Sequence, residues 1–143
     1  MIGSYKGFYR YNSSRVRKLI GYELTYFNIV IDFCNGKEFT GTVLDDEKTG
    51  GMKEQGLING KLEGSKITFE KYMPRHYTVD FKNNHQEELN DIHPTIMYYG
   101  SATKNFGYKG TWKIPTSYKV LWGTITLKSN IGSGTWEMQK QNQ

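Results

Sequence analysis

Cysteine and proline are almost missing from this 143-residue chain: Cys34 stands alone and there are 3 prolines. One thiol makes no intramolecular disulfide, so nothing here demands an oxidising compartment, and beside the Asn35-Gly36 step Cys34 reads as a buried or turn-flanking thiol. No apolar run approaches the ~20 residues of a membrane-spanning helix. The opening MIGSYKGFYRY lacks the apolar stretch and small-residue cleavage site of a secretory signal. The expectation is one cytoplasmic, soluble domain over 1–143. Also missing are a GxSxG elbow, a phosphate-binding P-loop, a dinucleotide fingerprint and any base identifiable beside Cys34, so the sequence favours a non-catalytic role without a cofactor.

Acidic residues are absent before Glu23, while Lys6, Arg10, Arg15, Arg17 and Lys18 fall in that stretch. The remainder of the chain is balanced, so the whole formal charge of +5 lies at the N-terminus. A local patch of this kind is unlike the distributed positive field of a duplex-binding domain, which argues against nucleic acid as the partner.

What is abundant is glycine, with 16 residues, and rings, with 11 Tyr, 7 Phe and 3 Trp. Short strands separated by turn signals fit this composition. Strands are expected at Tyr5 to Tyr11, Leu24 to Phe33, Glu38 to Leu44, Gly56 to Leu62, Lys66 to Tyr72, around Tyr77 to Phe81, Ile96 to Thr103, Gly107 to Ile114, Val120 to Lys128 and Gly134 to Met138. In the second of these, alternation puts Phe27, Ile29, Ile31 and Phe33 on one side and Tyr26, Asn28, Val30 and Asp32 on the other. Asn35-Gly36 fits a two-residue hairpin loop, Asp45 to Gly51 a polar turn, and the polar stretch Asn83 to Pro94 one helical turn carrying Leu89 and Ile92.

A glycine sits inside nearly every strand: Gly7, Gly41, Gly60, Gly100, Gly110, Gly123 and Gly134. Glycine weakens a strand interior, so its repetition signals bends or close backbone approach. Bends at regular intervals close a sheet. The fold class expected is all-β, a small antiparallel up-and-down barrel whose first and last strands pair, with a β-sandwich as the alternative.

The succession FNIVIDF, FTGTVLDD, GLINGKLEGSKITFEKYM, HYTVDF, MYYG, YKGTWKI and GSGTWEM, with Gly-Thr-Trp at 110–112 and again at 134–136, resembles a group of single-domain calycin-like proteins. These share the barrel architecture of lipocalins and avidins. The resemblance implies the fold and no established activity. The basic segment 12–22, the stretch 83–95 and Tyr5 where many calycins carry Trp depart from the pattern, so a lipocalin ligand range is not implied.

In such a barrel the basic segment joins strands one and two at a rim. Arg15, Arg17 and Lys18 there suit a carboxylate or phosphate, and an aromatic interior of Tyr9, Tyr26, Trp112 and Trp122 suits an apolar or ring-bearing body. The same charge run also reads as a plain solvated loop. The functional expectation is binding of a small amphipathic or aromatic, optionally anionic ligand at one mouth. The alternative is an interaction module that uses the barrel exterior for a protein partner or a second copy; Tyr98, Tyr99, Tyr108 and Trp112 then read as pocket rings, interface rings or, first of all, plain filling of a small barrel's interior. His85, Glu87 and His93 have the composition of a facial metal site but sit in one polar loop, and the acidic turn 45–51 lacks calcium-loop spacing, so no metal is expected. Among the strand carboxylates Asp32, Glu38, Glu63, Glu70 and Asp80, an inward one would be the candidate for acid or base work.

Overall fold

The computed structural model describes residues 1–73, 95–114 and 132–142 in full. Of the two intervening segments it describes only the strand backbones β6 (His76–Asp80), β7 (His85–Leu89), β10 (Ser117–Lys119) and β11 (Thr126–Lys128). Eight strands close an antiparallel up-and-down barrel in the order β1-β12-β9-β8-β5-β4-β3-β2. They are β1 (Gly3–Tyr11), β2 (Thr25–Cys34), β3 (Glu38–Asp45), β4 (Gly56–Glu63), β5 (Lys66–Tyr72), β8 (Ile96–Ala102), β9 (Gly107–Lys113) and β12 (Ser133–Lys140). The first and last strands pair from Tyr5 with Lys140 to Tyr11 with Gly134, so the seam falls where the sequence placed it. No described helix is long and apolar enough to cross a membrane.

The mid-strand glycines explain closure. Gly7, Gly41, Gly60, Gly100, Gly110 and Gly134 all take inward positions of their strands; Gly123 lies outside the described residues. The tightest sites form a reciprocal pair of Gly-Thr-Trp steps on neighbouring strands, with Gly110 opposite Trp136, Thr111 opposite Thr135 and Trp112 opposite Gly134. A methyl group at Gly110 would stand 1.8 Å from the Tyr99 carbonyl oxygen, and one at Gly134 1.8 Å from that of Arg10 and 2.6 Å from the Trp112 indole nitrogen. Each glycine thus makes room both for a neighbouring backbone and, at Gly134, for an indole. The indoles in turn donate to strand carbonyls: Trp112 Nε1 to Thr135 O, and Trp136 Nε1 to Tyr99 O and Thr111 O, all at 3.1 Å. Below them the Phe69 and Tyr98 rings stack at 4.5 Å with Trp136 edge-on to both, and Phe39, Ile29, Ile31 and Ile67 complete the fill.

Four local expectations change. Phe33 faces solvent, 52% exposed, because a bulge between Ile31 and Phe33 flips the alternation. The β2–β3 turn centres on Gly36-Lys37: Asn35 N donates to Glu38 O, and Asn35 Oδ1 accepts from Lys37 N and Glu38 N, so the asparagine caps the turn instead of occupying it. The basic segment is partly helical, α1 (Ser14–Ile20), begun by Ser13 accepting from Val16 N and ended by left-handed Gly21. Residues 85–89 form a strand paired with β6, with no helical turn there, since antiparallel pairing satisfies the backbone of two short polar segments at once. Within 120–128 only Thr126–Lys128 is described as strand, paired with Ser117–Lys119.

Up-and-down alternation puts the short turns at 35–37, 64–65 and 103–106, with both chain ends, at one rim. The long connections 12–24, 46–55, 73–95 and 114–132 all leave the other. The turn rim is sealed: the Tyr5 hydroxyl donates to Met1 O at 3.1 Å, and Met1, Leu62 and Tyr108 pack on the core. Any site inside the barrel is therefore reached from the loop rim.

Gly110→Ala and Gly134→Ala should each cost about 3 kcal/mol or more, since backbone cannot yield as a side chain does. Thr111→Val, on the outer face between them, should stay within about 0.5 kcal/mol. Urea unfolding of the three variants checks the contrast.

Candidate functional site

Beneath the loop rim the inward alternation of two strands carries opposite charges into the barrel. On β3 the series Phe39, Gly41, Val43 ends on Asp45, and on β5 the series Ile67, Phe69 reaches Lys71. Lys71 Nζ lies 2.8 Å from Asp45 Oδ1 and 2.7 Å from Oδ2, with the two side chains 3% and 4% exposed. The ammonium also sits over the Tyr9 ring, 5.3 Å from its centroid. Asp45 interacts with the Tyr9 hydroxyl, which also meets Thr25, and its charge reaches Tyr11 and Tyr98.

Burial above all, then the Asp45 carboxylate, raises the Tyr9, Tyr11 and Tyr98 phenols above the ordinary phenol range. A phenolate would lose its water and face a carboxylate, so these hydroxyls stay protonated and act as donors. At the turn rim burial likewise pushes Tyr5 up to about 12.

Next to the pair is a cavity of about 130 Å³ lined by Tyr9, Tyr11, Asp45, Gly50, Met52, Lys71, Met73, Ile96, Tyr98, Trp112 and Ile114. Its walls are rings and thioethers, and its floor is the ion pair with phenolic donors. Tyr11 and Tyr9 meet Trp112 edge-on at 4.9 and 5.8 Å, which fixes the aromatic wall. A space of this size holds about one benzene ring. A larger concavity, about 1150 Å³, is a solvent-open groove on the outer wall of β1, β2, β9 and β12, lined among others by Lys6, Phe8, Tyr26 and Glu137.

The connections frame the cavity. After Asp45 the chain turns through a short 3-10 helix, Glu47–Thr49, capped by the Asp46 side chain. Thr49 is tied to the start of β2, its carbonyl accepting from Thr25 Oγ1 at 2.8 Å and its hydroxyl from Tyr26 N at 3.0 Å. Gly50 faces Ile20 and Tyr22 from the α1 connection. Arg17 anchors α1 to the barrel: its Nη1 donates to Tyr11 O at 2.7 Å and Asn12 O at 3.1 Å, and its Nε lies 3.0 Å from Glu23 Oε2. The same carboxylate lies 3.5 Å from Arg10.

Of the residues chosen from sequence, Tyr9 and Trp112 meet in this cavity. Tyr26 does not: it is 50% exposed on the outer wall, edge-on to Phe8, because β2 directs even-numbered side chains outward until its bulge. Arg17 is taken up by structure, whereas Arg15 and Lys18 are exposed on α1. Trp122 and the side chains of His76, His85 and His93 lie outside the described residues. The carboxylates Asp32, Glu38 and Glu63 face solvent, Glu70 is half-buried and receives a hydrogen bond from the Tyr72 hydroxyl, and the Asp80 side chain lies outside the described residues. Sequence reasoning missed Asp45 and Lys71, whose signal was a charge at an inward strand position.

A buried ion pair adds little net stability, but losing one partner strands a charge. Asp45→Leu and Lys71→Met should each cost about 3–5 kcal/mol, and the two changes combined should recover most of it. Denaturant unfolding of the four proteins measures the coupling. The tyrosines set an alkaline limit. Their folded pKa values exceed the unfolded value near 10, so their contribution is intact below about pH 10 and is lost as pH rises through the folded values. Tyrosinate absorbance should therefore rise in two stages, the second coinciding with loss of the barrel's circular dichroism.

Compared with known proteins, the chain matches no protein-family model, no curated protein and no solved structure.

Proposed function

We propose that this barrel is a calycin-like, non-catalytic binding module that takes a small aromatic or amphipathic ligand at its loop rim. The observation that carries this is the placement of an ion pair and three phenols on the floor of a ring-lined cavity, at the rim where every long connection emerges. Desolvating both charges is expensive, and an apolar pair of similar volume would serve packing as well or better. Retention of polar groups beside a cavity is accounted for by a ligand whose own polar atom they orient. Phenolic donors suit an acceptor oxygen or nitrogen on that ligand, and the apolar wall of Met52, Met73, Ile96, Ile114 and Trp112 suits one ring or a short chain. Exposed Arg15 and Lys18 on the α1 connection supply a positive potential that favours an anionic group at the entrance.

Thermal shift and calorimetry with benzoate, indole-3-acetate, decanoate, haem and neutral indole test the reading. A ligand at a hundred times its Kd adds about 2.7 kcal/mol of stability, a rise of several degrees in Tm. At least one ring-bearing probe should give that rise. Met73→Trp, which fills the cavity, should abolish it, and Arg15→Glu with Lys18→Glu should weaken the anionic probes while sparing indole. A panel without any shift or heat, or a shift indifferent to Met73→Trp, overturns the assignment.

A further inference from the structure

We propose that Lys71 holds an aldehyde ligand covalently, as a protonated imine with Asp45 as its counter-ion. This rests on reading the cavity as a ligand site and names the chemical class of the ligand. Lys71 is buried, whereas every other described lysine is exposed. It places a primary amine on the wall of a cavity with room for about one ring, among Tyr9, Tyr98 and Trp112.

The surroundings suit each stage of the addition. An ammonium has no lone pair, and attack on a carbonyl carbon needs one. Asp45 provides the route: its oxygens lie 2.8 and 2.7 Å from Nζ, so one proton passes directly from nitrogen to carboxylate. Two charges out of water are costly and a neutral amine with a neutral acid is not, so burial makes this transfer cheaper than in solvent. The amine lone pair then forms a C–N bond as the carbonyl π pair moves to oxygen, and that oxygen takes the proton from Asp45. A second proton passes from nitrogen through Asp45 to the hydroxyl, which leaves as water as the C=N bond forms. In sum, Lys–NH3+ and RCHO give Lys–NH+=CHR and water. Charge is conserved, so Asp45 still faces a cation, and the Tyr9 ring, 5.3 Å from Nζ, remains a partner for it. Acylation of the same nitrogen would erase its charge and strand Asp45, which is why the arrangement favours an aldehyde over an acyl donor. The imine is reversible in water, so the outcome is capture and not turnover.

Benzaldehyde with cyanoborohydride, which reduces an imine to a stable secondary amine, tests this in the intact chain, with peptide mass spectrometry locating the benzyl group. At limiting aldehyde Lys71 should carry about ten times more label than any exposed lysine, because the cavity holds amine and carbonyl together. Benzyl alcohol, the same ring without the carbonyl, should compete and lower that label. Lys71→Arg keeps a cation beside Asp45 but has no primary amine. It should lose the cavity label, keep the background on exposed lysines and still melt higher with neutral indole. Should that variant not fold, mapping in the unchanged chain decides alone. Label confined to exposed lysines, while indole still raises Tm, overturns the imine and leaves the binding module standing. Absence of both the Lys71 label and any ligand-induced rise overturns both.

Discussion

Everything in this molecule rests on closing eight strands around large rings. A barrel this small has room for indoles only where a neighbouring strand position has no side chain, and two glycines meet that need: a methyl group at Gly134 would stand 2.6 Å from the Trp112 indole and one at Gly100 2.7 Å from that of Trp136. The rings fill the volume that bending leaves, and their N–H groups bind the strand carbonyls beside them. Closure, core and register are therefore one interaction seen from three sides. With Met1 and Tyr5 closing the turn rim, the space left inside the barrel among the described residues is the layer under the long connections.

That layer is where the barrel stops behaving like a simple core. Asp45 and Lys71 are paired too closely and buried too deeply to serve solubility, and the phenols around them are held protonated by the burial that makes them costly to ionise. A polar floor beneath an apolar wall is the arrangement by which a site fixes the orientation of a small molecule.

Particular residues show how far the sequence could be read. Glycines inside strands announced a bent, closed sheet, and the paired Gly-Thr-Trp steps lie side by side as structural elements. Phe33 was misread because one bulge moves a side chain to the opposite face, and a bulge has no signature in a single strand's pattern. Tyr26 was misread because ring chemistry was weighed above parity: its odd-numbered neighbours Thr25 and Phe27 are the inward residues. Asp45 was assigned to a turn because it opens an acidic run, yet it closes the alternation Phe39, Gly41, Val43. The basic segment looked like an unopposed positive rim because its counter-charge, Glu23, comes directly after it and folds back onto Arg10 and Arg17.

The sequence by itself determined the class of fold, the pairing of first and last strands and the location of excess charge, since these follow from local periodicity, glycine placement and simple counting. Tertiary structure alone decided which charges meet. Asp45 and Lys71 are 26 residues apart, and only the stagger of β3, β4 and β5 around a closed barrel brings them within 2.8 Å of each other. Local pattern fixes which face a side chain takes, but its neighbours on that face come from strands whose order and stagger the chain acquires only by folding.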